Sequence, residues 1–227
     1  MIKIENVSHR YGKKEVLKDV SFEIRPSEVT CLIGLNGSGK TTLMNLIMKL
    51  IPLQNGKISL DDHEISSQDF NRISYIPDQI ITLQSMTIQD SLDYMEKYYE
   101  VFSPVKASEL IEFFKLNRRD KIANLSKGNV AKVNLLLGLS LDTDYVIMDE
   151  PFSGIDAISR EHIVQVFTHR LIENRGVLIT SHELNDIEFL IDQAIIINEG
   201  RVVKSFKPEE IRDEEGKSII DIMREVY

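Results

Sequence analysis

The stretch Gly34-Leu35-Asn36-Gly37-Ser38-Gly39-Lys40-Thr41 constrains this chain more than any other part of it. It fits G-x-x-x-x-G-K-[S/T] and sits between an apolar run, Val29 to Ile33, and a segment of helical period, Thr42 to Met48. That order reads as strand, phosphate loop, helix. Glycines let the backbone curl so that successive N–H groups point at a β-phosphate, and the helix starting near Lys40 adds the positive end of its dipole. Lys40 reaches the β/γ oxygens as a point charge, and the Thr41 hydroxyl is placed to coordinate Mg²⁺. Asn36, Gly37, Ser38, Gly39 and Thr42 complete the expected nucleotide cradle.

A second motif supplies what the loop lacks. Tyr145-Val146-Ile147-Met148-Asp149-Glu150 is a buried strand that ends in two carboxylates. Asp149 is expected to hold the magnesium shell and Glu150 to polarise an attacking water. Turns also favour Asp, so the acid pair gains its meaning from the loop.

The remaining pattern alternates. Ile2 to Arg10 and Val16 to Ile24, joined at Tyr11-Gly12-Lys13-Lys14, read as two antiparallel strands ended by Pro26-Ser27. Asn55 to Leu60 with Asp61-Asp62 reads as a hairpin, and Arg72 to Ile76 as a short strand closed by Pro77. From Thr87 to about Leu116 the period is that of amphipathic helix, with Leu92, Met95 and Tyr99, then Leu110, Phe113 and Phe114 on repeating faces. A helix after Ser126, strands at Tyr145 and Gly176 to Thr180, a hairpin from Gln193 to Phe206, and a docking helix around Ile219 to Met223 complete an α/β order. The expected fold is a P-loop NTPase core with a mostly parallel sheet and helices on both faces, an N-terminal antiparallel β subdomain and a helical subdomain. One domain spans 1–227, with 1–78 and 145–227 as core plus β subdomain and about 79–144 as the helical subdomain.

Composition limits the partners. The 227 residues carry a net charge of −9, so no basic face of the kind that neutralises a nucleic-acid backbone dominates. Apolar runs such as Ala194 to Ile197 are far short of a membrane span, and the N-terminus lacks a secretory pattern, so the expectation is a chain neither secreted nor itself transmembrane. The one cysteine, Cys31, lies inside the apolar strand and reads as core in a reducing setting. His9, His63, His162 and His169 read as structural or solvated.

Leu125-Ser126-Lys127-Gly128-Asn129, about twenty residues before the acid pair, resembles the LSGGQ signature of ABC ATPases. The resemblance covers essentially the whole chain, with Tyr11 at the adenine-stacking position and Val16 beside it. The phosphate loop, the signature, Asp149-Glu150, a D-loop at Ser153-Gly154-Ile155-Asp156, and His182 at the switch follow in order. It implies ATP and Mg²⁺ as ligands, and two such domains packed head to tail so that the phosphate loop of one and the signature of the other enclose ATP. Ser126, Gly128, Asn129 and Asp156 would then touch nucleotide across that interface, and His182 would bond the γ-phosphate and the water. Without the resemblance, His182 is a lone helix-start histidine. Ser126 is a good N-cap with Gly128 behind it, so its helix offers free N–H groups that suit a γ-phosphate.

Two departures from the family pattern stand out. Pro77 is followed by Asp78 and then Gln79, where the family has Gln directly. Asp78 is favoured as a direct Mg²⁺ ligand, with Gln79 acting through a local shift as the alternative. The signature has Lys127 and Asn129 for a glycine and a glutamine, which resembles the LSKG variants of exporters more than importers. The resemblance therefore implies an ATPase subunit on the cytoplasmic face of the membrane, paired with a second ATPase chain, a homodimer being the simpler assumption. It would drive a separate transmembrane permease that exports a peptide, antibiotic or lipid-like substrate. Ile80, Ile81, Leu83 and Met86 are candidate anchors for the permease, or else core of the helical subdomain. The alternative class is a non-transport ABC ATPase, which would carry tandem domains with a basic linker or a long coiled coil; neither is here. A kinase or GTPase sharing only the phosphate loop leaves the signature unexplained, and no N-K-x-D sequence is present.

Overall fold

The computed structural model describes residues 1–79, 83–153, 155–168, 174–181, 184 and 187–227. The N-terminal third forms a four-stranded antiparallel sheet in which β1 (Ile2–Tyr11) pairs on one side with β2 (Lys14–Ile24). On its other side β1 meets β4 (Asn55–Leu60), which pairs in turn with β5 (His63–Glu64). Between them in sequence lie β3 (Val29–Ile33) and α1 (Lys40–Ile47). Asp61 and Asp62 both take positive φ at the β4–β5 turn, a conformation that short polar side chains tolerate.

The second sheet has six strands. β6 (Ile73–Ile76), β7 (Tyr145–Asp149), β8 (Gly176–Ser181), β9 (Gln193–Asn198) and β10 (Arg201–Phe206) join β3 in the order β10-β9-β3-β8-β7-β6. Every pair is parallel except the β9–β10 hairpin at one edge. β7 and β8 are buried along their whole length, as strands covered on both faces must be.

The two faces are covered differently, which refines the expectation of helices on both. Leu32, Tyr145, Ile147, Leu178, Ile195 and Ile197 point into a core shared with α1 and the inner face of the antiparallel sheet. Cys31, Ile33, Val146, Met148, Ile179 and Ile196 point the other way, toward helices alone. Those helices are α2 (Ile88–Tyr98), α3 (Pro104–Phe114), α4 (Lys127–Leu139), α5 (Ala157–Thr168), α6 (Pro208–Glu215) and α7 (Ile219–Val226).

The amphipathic stretch expected from Thr87 to Leu116 is two helices, because Ser103 caps α3 and Pro104 occupies its first turn. Thr87 and Asp90 form a capping box at the start of α2. His9 is buried in β1, His63 lies 3.0 Å from Asp69, and Cys31 is fully buried with its thiol pushed up mainly by burial. His169 and the side chain of His162 lie outside the described residues.

Candidate nucleotide site

Parallel order brings the C-terminal ends of β3, β8 and β7 side by side, the place where open α/β sheets bind ligands. The loop leaving β3 turns at Gly34, where a Cβ would lie 2.5 Å from Ser38 Oγ and 2.6 Å from the Ile197 carbonyl. Gly39 caps α1 at φ 110°, with no side-chain cap bond, so the amides of Lys40, Thr41 and Thr42 open the helix without intrahelical acceptors. Ser38 Oγ is buried and has no hydrogen-bond partner. An orphaned hydroxyl among free amides at a helix N-terminus fits phosphate oxygens. Asn36, Gly37 and Thr41 are exposed around this cradle.

Lys40 is buried within it. Its Nζ donates to the Gly34 carbonyl at 2.7 Å and lies 3.2 Å from Glu150 Oε1. The loop lysine and the strand-end glutamate thus hold each other, which spares both charges an uncompensated burial.

Asp149 and Glu150 are fixed by one residue that the sequence did not single out. Thr180 sits opposite Asp149 in the β7–β8 register; its hydroxyl donates to Asp149 Oδ1 at 2.6 Å and accepts from the Glu150 amide at 2.8 Å. Glu150 itself takes φ 48°, a left-handed conformation that costs a non-glycine residue about 1–3 kcal/mol and clusters at functional sites. Its only sequence signal would have been a threonine one strand over, which is common in any sheet.

Asp78 is exposed, yet partial desolvation and then the charges of Asp149 and Glu150 raise its carboxyl above the usual range. Burial, with Asp149 and Asp78, likewise pushes the Tyr75 phenol up. Asp78 therefore feels the other two carboxylates at this end of the sheet. Among the described residues no group of three His, Cys, Asp or Glu side chains could hold a metal ion alone. The Thr41 hydroxyl and the Asp149 carboxylate are oxygen donors of the kind Mg²⁺ takes when phosphates and water complete its shell.

Tyr11 is 51% exposed at the end of β1, with the His9 ring edge-on 4.9 Å away. The Val16 carbonyl lies 3.0 Å from where a Gly39 Cβ would stand, so the segment after Tyr11 borders the phosphate loop.

The signature stands apart. Ser126 caps α4 by accepting from the Asn129 amide at 3.3 Å, as expected, and Gly128 is buried behind it. Lys121, Asn124, Ser126 and Asn129 line a shallow pocket of about 440 Å³ at this helix end. Among the described residues no hydrogen bond joins Ser126, Gly128 or Asn129 to the phosphate loop. Asp156 is exposed and opens α5, its carbonyl accepting from the Arg160 amide at 2.9 Å. His182, Gly154, Ile80 and Ile81 lie outside the described residues.

The body of α4 is bound to β6. Ser74 Oγ donates to the Gly138 carbonyl at 2.7 Å, and a Cβ on Gly138 would meet Ile76 Cγ1 at 2.3 Å. Asn134 Nδ2 donates to the Pro77 carbonyl at 3.3 Å, next to Asp78. Asn134 was also unread; its signal is a single amide in the apolar run Val133 to Leu139. Beside this contact opens an apolar cleft of about 580 Å³, walled by Phe70, Pro77, Leu83, Met86, Tyr94 and Tyr99. Of the expected anchors, Leu83 is 67% exposed and Met86 half-buried.

Comparison with known proteins agrees with this geometry. The sequence model of the ABC transporter family matches residues 17–153. The linearmycin resistance ATP-binding protein LnrL of Bacillus subtilis strain 168 is 31% identical over 211 residues, covering 89% of this chain and 68% of that protein. The lipopolysaccharide export system ATP-binding protein LptB of Haemophilus influenzae is 29% identical over 222 residues, covering 93% and 92%. A solved ATP-binding subunit of an ABC transporter superposes with TM-score 0.87 at 26% identity, over 99% of this chain and 98% of its own. A glycine cradle, a buried lysine and a strand-end glutamate on this fold, together with these matches, place the chain in the ABC transporter family as an ATP-binding subunit that hydrolyses ATP.

Proposed function

We propose that the chain powers an exporter, as one of two identical ATPase chains that clamp ATP and drive a separate membrane-spanning permease from the cytoplasmic face. The observation that carries the ATPase chemistry is the pairing of Lys40 with Glu150 at the mouth of the loop. Incoming phosphates offer Lys40 a better partner, so Lys40 changes hands and Glu150 is released to orient the attacking water. Loop amides and the Ser38 hydroxyl take the phosphate oxygens, and Tyr11 with Val16 receives the adenine. Thr41 and Asp149, with Asp78 at the rim, would hold Mg²⁺, which would supply positive charge beside the phosphates. Gln79 remains the alternative to Asp78.

The second chain follows from what the first leaves open. Ser126 opens a helix N-terminus to solvent, with Gly128 buried behind it and Asn129 half-buried, an end suited to the γ-phosphate held by a partner chain, with Asp156 and His182 at the same interface. The apolar cleft walled by Leu83, Met86, Tyr94 and Tyr99 suits an amphipathic helix of the permease. LnrL is named for linearmycin resistance and LptB for lipopolysaccharide export, which supports export of an antibiotic or lipid-like cargo alongside the peptide reading.

The test is Glu150→Gln, expressed with a tag in its native cell, trapped with ATP and solubilised in mild detergent. Turnover should fall at least about 100-fold, and a protein with several membrane helices should co-purify. Unchanged turnover refutes Glu150 as the water-orienting residue. Recovery of ribosomal or nucleic-acid factors in place of a membrane protein refutes the transport reading.

A further inference from the structure

The phosphate loop has an outside support that the reaction scheme above does not use. β3 and β9 run parallel with Ile33 opposite Ile196, and then β3 ends while β9 continues. The chain swings away at Gly34, and the Ile197 carbonyl, which a Gly34 Cβ would touch at 2.6 Å, is left facing the departing loop. Tyr227 fills that corner. Its hydroxyl donates to the Ile197 carbonyl at 2.9 Å, and the Leu35 backbone interacts with the Tyr227 phenol oxygen itself. One phenol therefore closes the ladder where the strand becomes the loop. Partial burial raises this phenol above its ordinary range, so it stays neutral and able to donate at physiological pH.

Tyr227 is held there by α7. Ser218 and Asp221 form a capping box at the helix start, and Ile219 and Ile222 are fully buried, each contributing on the order of the usual gain for an aliphatic core side chain. Glu188 accepts from the Ile219 amide at 3.1 Å and lies 3.4 Å from Arg212, fixing the same end from the segment that follows β8. Tyr227 continues the last turn, its amide donating to the Met223 carbonyl at 3.0 Å. The helix is thus a short strut with one end on the segment beyond β8 and the other on the β9 carbonyl against which the loop turns at Gly34.

We propose that Tyr227 is a positioning residue for ATP: its hydroxyl fixes the Gly34–Leu35 turn so that the loop amides and Ser38 are already set for the phosphates. Preorganising a loop lowers the cost of ordering it on binding, so loss of the hydroxyl should appear in affinity. The inference rests on the reading of residues 34–41 as the ATP site.

The experiment compares the full chain with Tyr227→Phe and Lys40→Ala, by ATP titration calorimetry, thermal melting and amide spectra of ¹⁵N-labelled protein. Phe keeps the ring's packing and removes only the hydroxyl. The expected result is ATP affinity about three- to tenfold weaker for Tyr227→Phe, the range for one lost intramolecular hydrogen bond, with the Leu35 amide signal displaced. A purely structural tyrosine would lower the melting temperature and leave ATP affinity within twofold, and that result overturns the proposal. If Lys40→Ala loses ATP while Tyr227→Phe does not, only this inference falls. If neither changes affinity, the phosphate-loop reading falls with it.

Discussion

The phosphate loop and the signature both lie at helix N-termini, yet the two ends are finished to different degrees. At the loop, Lys40 is 6% exposed and bonded to Gly34, Glu150 closes the lysine's other side, and Tyr227 bonds the Ile197 carbonyl beside the turn. At the signature, the cap is a local Ser126–Asn129 bond, and Ser126 and Lys127 stand in solvent. One terminus is completed by residues scattered from position 34 to 227; at the other, among the described residues, the side-chain cap is the local Ser126–Asn129 bond. A site that a chain finishes alone can bind; a site it leaves open can act only when something else arrives.

Lys40→Ala tests this contrast most severely. It removes the loop's charge and strands Glu150 in a partly buried position, so ATP affinity should drop about 100-fold or more, read by calorimetry; retained affinity would break the assignment. Ser126→Ala should leave ATP binding to the lone chain within twofold while turnover falls about tenfold, because its cap is local to α4 and, in the proposed pair, that helix end faces the partner's nucleotide. Equal loss of binding and turnover would erase the distinction between the two termini. The smallest effect lies far from both. Asp69 accepts from the Ser66 amide and lies beside His63, and the amide above all holds its carboxyl down to about 2. A depressed folded-state value stabilises the fold above the unfolded value near 4, and that gain disappears as pH falls toward 2. Asp69→Asn should therefore lower the melting temperature by about 2–4 °C at pH 7 and by nothing measurable near pH 2, with ATP affinity unchanged throughout.

The sequence carried the parts whose chemistry is local. Gly34 to Thr41 needs only its own spacing, and Tyr145 to Glu150 only its apolar run and acids, so both were legible with nearly correct bounds. The split of α2 from α3 was written in Ser103-Pro104 and was masked by a helical period that continues across it. What could not be read is what distance in sequence conceals. Thr180 meets Asp149 across a strand pair, Ser74 meets Gly138 between a strand and a helix, and Tyr227 meets Ile197 from the end of α7. None of these leaves a periodic trace, because each depends on register and packing angle. Helices on both faces of the large sheet were legible; that the antiparallel sheet shares one face with α1 was not, because a buried strand does not say what else will cover it.

The seam between α4 and β6 has a mechanical consequence. Gly138 lies so close to Ile76 that no side chain fits between them, and Ser74 and Asn134 pin the same helix at two further points. From Asn134 to Ser126 is about two turns, roughly 12 Å of helix. The helix is therefore a rod held without slack at this seam, and Ser126 and the wall of the apolar cleft are two stations on that one rod.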